Sequence, residues 1–134
     1  MPQENTKRFA LALLLLAGFV SSSAEAKENP LFDSYYTWIS IKAENARLDN
    51  YAAQLRNAPL GRAVIVVYAG SENTVRSAKA RARRAVRYLV KTRGVDPSRV
   101  VWRYDAACGH EEILLYLLYP NEADPTPDTK CTLH

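Results

Sequence analysis

The stretch that decides the fold is SAKARARRAVRYLVKTRG, residues 77–94, which combines small apolar residues with a dense run of basic ones. At about 100° per residue, one helical face collects the apolar side chains of this region. They are Val75, Ala78, Ala82, Val86 and Leu89. The far side carries Arg76, Arg83, Arg84, Arg87 and Lys91, while Arg81 and Tyr88 share one flank. The pattern predicts a helix that packs on a sheet, leaves its basic face in solvent and ends at Gly94.

The N-terminal segment predicts the compartment of the protein and therefore which polyanions the basic helix can contact. Lys7 and Arg8 precede the apolar run 9–20, and a small-residue A-E-A site at 24–26 follows it, as in a signal peptide. Twelve apolar residues fall short of the roughly 20 that a membrane-spanning helix needs. We therefore predict a signal peptide at 1–26 and a processed chain without a membrane span. The predicted location is the periplasm or cell envelope.

Net charge and its distribution narrow the expected partners. The formal net charge is +4, and an exported chain has little access to nucleic acid, so we expect no nucleic-acid partner. Anionic polymers or lipid head groups of the envelope are the expected counter-charges. Residues 76–93 hold eight Lys or Arg, whereas residues 105–128 hold six Asp or Glu and no basic residue. This division also suits an acidic protein partner and leaves the oligomeric state open.

Strand and helix patterns precede this helix. The run RAVIVVY at 62–68 is typical of a strand that is covered on both faces or central in a sheet. Residues 27–41 predict a first strand or extended segment, and residues 42–59 predict a helix. The apolar stripe of that helix consists of Ile41, Leu48, Tyr51, Ala52 and Leu55.

Two further strands follow the basic helix, at 99–104 and 113–119, and their proximity predicts an antiparallel hairpin. The order is β-α-β-α-β-β. It favours an α/β two-layer sandwich with a mixed sheet and two helices on one face. The domain is predicted to cover 27–120, and the proline-rich segment 121–134 is predicted to be a flexible tail.

The cysteines and the polar turn at 108–112 raise the question of reactive chemistry. We predict a disulfide between Cys108 and Cys131, because an oxidising compartment permits them to pair; two free thiols are the alternative. The turn C-G-H-E-E lacks the spaced ligand pairs of a zinc site. The sequence also contains no hydrolase nucleophile motif, zinc-protease motif or phosphate loop. We therefore predict a non-catalytic protein without a metal or other cofactor.

Residues 48–120 resemble the C-terminal, peptidoglycan-associated domain of the outer-membrane protein A (OmpA-like) family. The resemblance rests on LDNYAAQLRNAP at 48–59, AVIVVYAG at 63–70, and RARRAVRYLV followed by RGVDPSRV within 81–100. The shared features are an Arg-Ala pair, a Tyr-Leu pair starting seven residues after the Arg, and the exit pattern G-[VI]-x-x-x-[RK]-[VI]. The resemblance implies an α/β sandwich that binds peptidoglycan.

The resemblance also implies a ligand site. In that family, an Asp in a G-x-[TS]-D-x-x-G loop receives the ammonium of a peptide-stem residue such as diaminopimelate. A helix Arg in an L-S-x-x-R-A pattern holds the carboxylate, since a zwitterionic end needs one partner of each charge. The matching Arg here is Arg81. The loop AGSENTVRS at 69–77 is shorter and has no Asp, so Glu72 is the candidate acid, and Asn73 and Ser71 offer neutral hydrogen bonds.

An alternative register would place the family's Arg-Ala pair at Arg84-Ala85. The helical wheel puts Arg84 opposite the apolar stripe, so we expect it on the wrong side for a pocket against the sheet. The sequence leaves two candidate functions open. The protein binds peptidoglycan stem peptides, or it is a protein-interaction or structural domain that keeps the OmpA-like scaffold without a working pocket.

Overall fold

Four strands and two helices alternate along the chain in a computed structural model that describes residues 31–127 and Cys131. The elements are β1 Leu31–Tyr36, α1 Ile41–Asn57, β2 Arg62–Ala69, α2 Val75–Arg87, β3 Val100–Ala107 and β4 Glu112–Leu118. A π-helical turn, Tyr88–Thr92, continues α2, and short 3₁₀ turns precede α2 and β3. The predicted α/β class and the β-α-β-α-β-β order are confirmed. The predicted signal peptide at 1–26 lies outside the described residues.

The sheet is mixed, as predicted, but the hairpin prediction for the last two strands is wrong. The strand order is β1-β4-β2-β3, with β2 parallel to β3 and antiparallel to β4. The strand β4 therefore lies between β1 and β2, where both of its edges are paired. Burial explains why β4, and not β3, takes the inner position. Ile113, Leu115 and Leu118 are fully buried, whereas β3 is half-exposed and suits an edge of the sheet.

The loop from β3 to β4 crosses the end of β2 and is attached to it. Backbone amides of Cys108 and Gly109 donate to the carbonyls of Ala69 and Gly70, at 2.7 and 3.0 Å. Gly109 has a φ of 81°, in the left-handed region that favours glycine. The crossing brings the start of β4 beside the exits of β1 and β2.

The strand β2 is buried on both faces, as its continuous apolar run predicts. Successive side chains of β2 alternate between the face of the sheet that the two helices cover and the other face. Ala63, Ile65, Val67 and Ala69 pack under the helices, in one cluster with the core residues of α1 and α2. Val64, Val66 and Tyr68 pack on the other face with Leu118 and Cys131.

The C-terminal segment lies against that other face. Cys131 is buried there, and the predicted disulfide to Cys108 is confirmed, with a Cα–Cα distance of 4.7 Å. Asp124 pairs with Arg62 of β2 at 2.5 Å, and the carbonyl of Pro125 accepts a hydrogen bond from Arg103 of β3. The described part of the predicted tail thus contacts the sheet at several points.

The helix α2 packs on the sheet through small side chains. Ala78, Ala82, Ala85 and Leu89 are fully buried, while Val75 and Val86 are only partly buried at the margin of the core. The predicted stripe is therefore confirmed with a small rotation towards Ala85. In α1, the residues Leu48, Tyr51, Ala52 and Leu55 are fully buried as predicted, but Ile41 is 45% exposed.

Two buried tyrosines on this side of the sheet differ in how their hydroxyls are satisfied. The Tyr51 hydroxyl donates to the carbonyl of Tyr116 in β4 at 2.5 Å. The Tyr35 hydroxyl has no hydrogen-bond partner among the described residues, although Tyr35 is only 4% exposed. Burial, and to a smaller extent the charge of Glu44, raises the pKa of Tyr35. A buried hydroxyl without a partner lowers stability.

The two tyrosines give a matched pair of variants. We expect Tyr51→Phe to lower the free energy of unfolding by about 1 kcal/mol, because it removes a formed hydrogen bond. Tyr35→Phe removes only an unsatisfied hydroxyl and should cause no loss or a small gain. Urea unfolding followed by circular dichroism measures both values. Equal losses in the two variants would contradict the assignment of the Tyr35 hydroxyl as unsatisfied.

Candidate functional site

Arg81, the predicted carboxylate-binding residue, lies on the flank of α2 that faces α1. Its Nε donates to the carboxylate of Glu44, and its Nη2 donates to the carbonyl of Ile39 at 3.0 Å. Glu44 is fully buried, whereas 19% of the Arg81 side chain is exposed. The guanidinium is therefore held in place by the protein, with one edge towards solvent.

Arg84 reaches the same carboxylate from the side of α2 that the helical wheel places opposite the apolar stripe. Its Nη1 pairs with Glu44 at 2.6 Å, and its Nη2 donates to the side-chain oxygen of Asn45 at 2.8 Å. The helical wheel compared Arg84 with the sheet alone, but α1 packs beside α2, and a long side chain can reach it. One buried carboxylate thus serves two guanidiniums.

The variant Glu44→Gln tests this shared carboxylate. It keeps the shape of the side chain but leaves Arg81 and Arg84 next to each other without a counter-charge. We expect the free energy of unfolding to fall by about 3–5 kcal/mol, as for other buried ion pairs that lose one partner. Denaturant unfolding of the purified chain measures this loss.

The control for that experiment is Asp124→Asn, which removes a 61% exposed partner of Arg62. An exposed pair contributes about 1 kcal/mol or less. Losses of similar size in Glu44→Gln and Asp124→Asn would show that the buried triad has no special weight in the fold.

Glu111, in the loop before β4, is the centre of a second polar cluster at the carboxyl ends of β1 and β2. Its Oε2 accepts from the Thr37 hydroxyl at 2.5 Å, and its Oε1 accepts from the Ser77 hydroxyl at 2.8 Å. Its carbonyl also accepts from the Thr37 amide at 3.2 Å. Glu111 therefore joins the β1–α1 loop, the start of α2 and the β3–β4 loop.

The environment of Glu111 favours its charged form. Partial burial raises its pKa, but the hydroxyls of Thr37, Ser77 and Thr74 and the charge of Arg81 outweigh this effect. The net result is a pKa below the ordinary value of a glutamate. Ser77, which donates to Glu111, lies four residues before Arg81 on α2, so Glu111 and Arg81 meet adjacent turns of the same helix.

The three residues that the resemblance assigns beside Arg81 lie elsewhere in the loop after β2. Glu72 is exposed in the 3₁₀ turn Glu72–Thr74, and no ion pair or hydrogen bond joins it to Arg81 within the described residues. Burial first, and then the charge of Glu72, raises the pKa of Tyr104. Ser71 and Asn73 likewise make no contact with Arg81 that the structure records. The carboxylate bonded to Arg81 is that of Glu44, while Glu111 binds Ser77 one helical turn away, and no local sequence pattern marks Glu111.

Aromatic side chains border the Glu111 cluster. Trp38 is 79% exposed and stacks on Tyr36, with ring centroids 5.7 Å apart. The ring of His110 meets Tyr36 edge-on at 5.6 Å. Thr37, which binds Glu111, lies between the two stacked residues in the chain. The end of the sheet thus combines a charged polar centre with an exposed aromatic rim.

The turn at 108–112 shows no reactive arrangement. Cys108 is in the disulfide, and His110 lies 3.0 Å from Glu112. Within 31–127 and Cys131, no three His, Cys, Asp or Glu side chains are grouped as metal ligands would be. The same residues contain no helix of sufficient length and apolar character to cross a membrane.

No family model matches the sequence, and a search of curated proteins found no match either. The resemblance to OmpA-like domains therefore remains a prediction from the motifs of the chain itself.

The lowered pKa of Glu111 predicts a pH dependence of stability. Because the folded-state pKa lies below the unfolded value of about 4.3, the carboxylate stabilises the fold above that pH. The contribution is lost as the pH falls through the folded-state pKa. The difference in unfolding free energy between wild type and Glu111→Gln should therefore shrink as the pH falls from about 6 to about 3.

A series of urea unfolding curves across this pH range measures that difference. Ser77→Ala removes one of the two short hydroxyl contacts of Glu111 and should give a smaller effect of the same sign. A wild type and Glu111→Gln variant whose stability difference stays constant with pH would contradict the assignment.

Proposed function

We propose that this chain is a non-catalytic envelope protein whose candidate site binds the zwitterionic end of a peptide, as in a peptidoglycan stem. The proposal rests on one arrangement: Glu111 accepts from Ser77, which lies one helical turn before Arg81 on α2, at one end of the sheet. A free amino-acid end carries one ammonium and one carboxylate, so it needs one partner of each sign. Glu111 takes the place that the resemblance gives to the loop Asp.

Both residues keep bonding capacity for a ligand. Arg81 uses Nε and Nη2 within the protein, while its Nη1 has no hydrogen bond to a described residue. Each Glu111 oxygen accepts one short hydroxyl hydrogen bond, and a carboxylate offers about four acceptor positions. An incoming carboxylate can therefore contact Arg81 while an ammonium contacts Glu111.

Two further features support an envelope location. The sequence at 1–26 has the pattern of a signal peptide, and the Cys108–Cys131 disulfide suits an oxidising compartment. The binding role follows the resemblance of residues 48–120 to OmpA-like domains. The location and the role are thus proposed on separate grounds.

A second candidate function is a protein-interaction domain without a working ligand pocket. The observation that favours it is the exposed, stacked pair of Trp38 and Tyr36 at the same end of the sheet. Exposed large aromatic side chains are typical of interfaces. The engagement of Arg81 by Glu44 also reduces what the guanidinium can offer a small ligand.

Co-sedimentation with insoluble peptidoglycan tests the first candidate. We expect the wild type to sediment, and Glu111→Gln to lose at least about tenfold in affinity, since a charge-assisted hydrogen bond is lost. Glu72→Gln is the matched control, because it removes an exposed carboxylate from a neighbouring loop without touching the cluster. Its affinity should stay within about twofold of wild type.

Two outcomes would count against peptidoglycan binding. A folded wild type that stays in the supernatant removes the proposal and leaves the protein-interaction candidate. Equal affinities of wild type and Glu111→Gln would place the contact outside this cluster. Circular dichroism of each variant separates lost binding from lost folding.

A further inference from the structure

The basic residues of α2 and its π-helical turn are not all compensated by the protein. Arg81 and Arg84 share Glu44, and Arg93 pairs with Asp49 at 2.6 Å. Two more lie over aromatic rings: Lys79 is 5.0 Å from the centroid of Tyr104, and Arg83 is 5.4 Å from that of Trp102. The side chains without an ion pair, hydrogen bond or ring contact to any described residue are Arg76, Arg87 and Lys91.

Two of these three free cations line one cleft. Arg87 and Lys91 border an open cleft of about 420 Å³ together with Arg84, Tyr88 and Thr92. They also separate it from a more apolar neighbour of about 290 Å³, which includes Trp102. No acidic residue lines either cleft within the described part of the chain.

Among the described residues, Glu44 pairs with Arg84 and Asp49 accepts from the Tyr88 hydroxyl, but no carboxylate pairs with Arg87 or Lys91. Arg87 and Lys91 are four residues apart, and like charges at this helical spacing repel each other. Arg84 adds a third cation, and the carboxylate that it contacts is already shared with Arg81. The wall of the cleft therefore has a net positive charge that an anion would neutralise.

The backbone at the cleft is unusual. The π-helical turn Tyr88–Thr92 supplies three of the five lining residues, namely Tyr88, Lys91 and Thr92. Such turns are rare and frequently occur at functional sites. Basic residues near the end of a helix also offset its dipole, but that role requires neither a concave wall nor two unpaired cations side by side.

We propose that this cleft binds a phosphate group carried by a larger ligand. Guanidinium groups match phosphate oxygens with paired hydrogen bonds, and a phosphate monoester offers up to two negative charges to Arg87 and Lys91. The Thr92 hydroxyl lies on the same wall and can donate a further hydrogen bond. The described residues place no acid in the cleft for an ammonium, so a zwitterionic peptide end suits it less well than a phosphate. This site uses other residues than the Arg81–Glu111 site and does not depend on the proposed function.

Titration of the full chain with inorganic pyrophosphate tests the cleft. Sodium chloride keeps the ionic strength constant, and calorimetry or amide chemical shifts report binding. We expect saturable binding by the wild type and at least about a tenfold loss of affinity in the double variant Arg87→Gln/Lys91→Gln. Both side chains are free in the structure, so the double variant should stay folded. Arg76→Gln removes the third free cation, outside the cleft, and should bind within about twofold of wild type.

Binding to lipid vesicles distinguishes a lipid head group from other sources of the phosphate. Binding to phosphatidylglycerol vesicles but not to phosphatidylcholine vesicles, lost in the double variant, would support a lipid head group. Pyrophosphate binding without vesicle binding would support a soluble or polymer-borne phosphate. The proposal is overturned if the wild type does not bind pyrophosphate, or if Arg76→Gln weakens binding as much as the double variant does.

Discussion

The buried carboxylate of Glu44 constrains the whole helical layer. A charge at a fully buried position is tolerated only when opposite charges satisfy it, and here both come from α2. The two helices can therefore pack side by side in one rotation, with Arg81 and Arg84 turned towards α1. The same rotation directs Ala78, Ala82 and Ala85 to the sheet, where small side chains allow close packing.

This arrangement also divides the surface of α2 into two areas of positive charge. Arg81 faces the end of the sheet, where Glu111 and two hydroxyl groups complete a compact polar cluster. Half a helix further on, Arg87 and Lys91 line a cleft to which the described residues contribute no carboxylate. Glu44 carries one negative charge for two guanidiniums, so Arg81 and Arg84 together keep one positive charge that it does not offset. One interior residue thus influences two surface sites with different ligand preferences.

Local patterns were sufficient for the elements and insufficient for their long-range pairing. The continuous apolar run at 62–68 and the stripe of α2 each depend on neighbours in the chain, and both are confirmed. Strand pairing depends on which strands need cover on both faces. The apolar run at 113–119 resembles that of β2 in this respect, which was a reason to place it inside the sheet and not at its edge.

The site residues also divide into those that a local pattern marks and those that depend on long-range contacts. Glu44 lies on the stripe of α1, four residues before Leu48, so a carboxylate at a core position was visible in the sequence as a sign of a buried partner. The contact of Arg84 with α1 had no signal in the helical wheel, which describes one helix and not its neighbour. Glu111 had no local signal, since Thr37 and Ser77 come to it only because the β3–β4 loop crosses the end of β2.

The position of β4 has a consequence for biosynthesis. In the described sheet, β1 pairs with β4 alone, so that Leu31 lies opposite Tyr116. The first strand to leave the ribosome thus has no sheet neighbour until the last strand has been made. Closing so long a stretch of chain is slow, because its entropy is lost before the contacts form. A nascent chain of this design stays incomplete, with an unpaired strand that a chaperone or a translocation machinery can hold extended, until translation has passed Leu118.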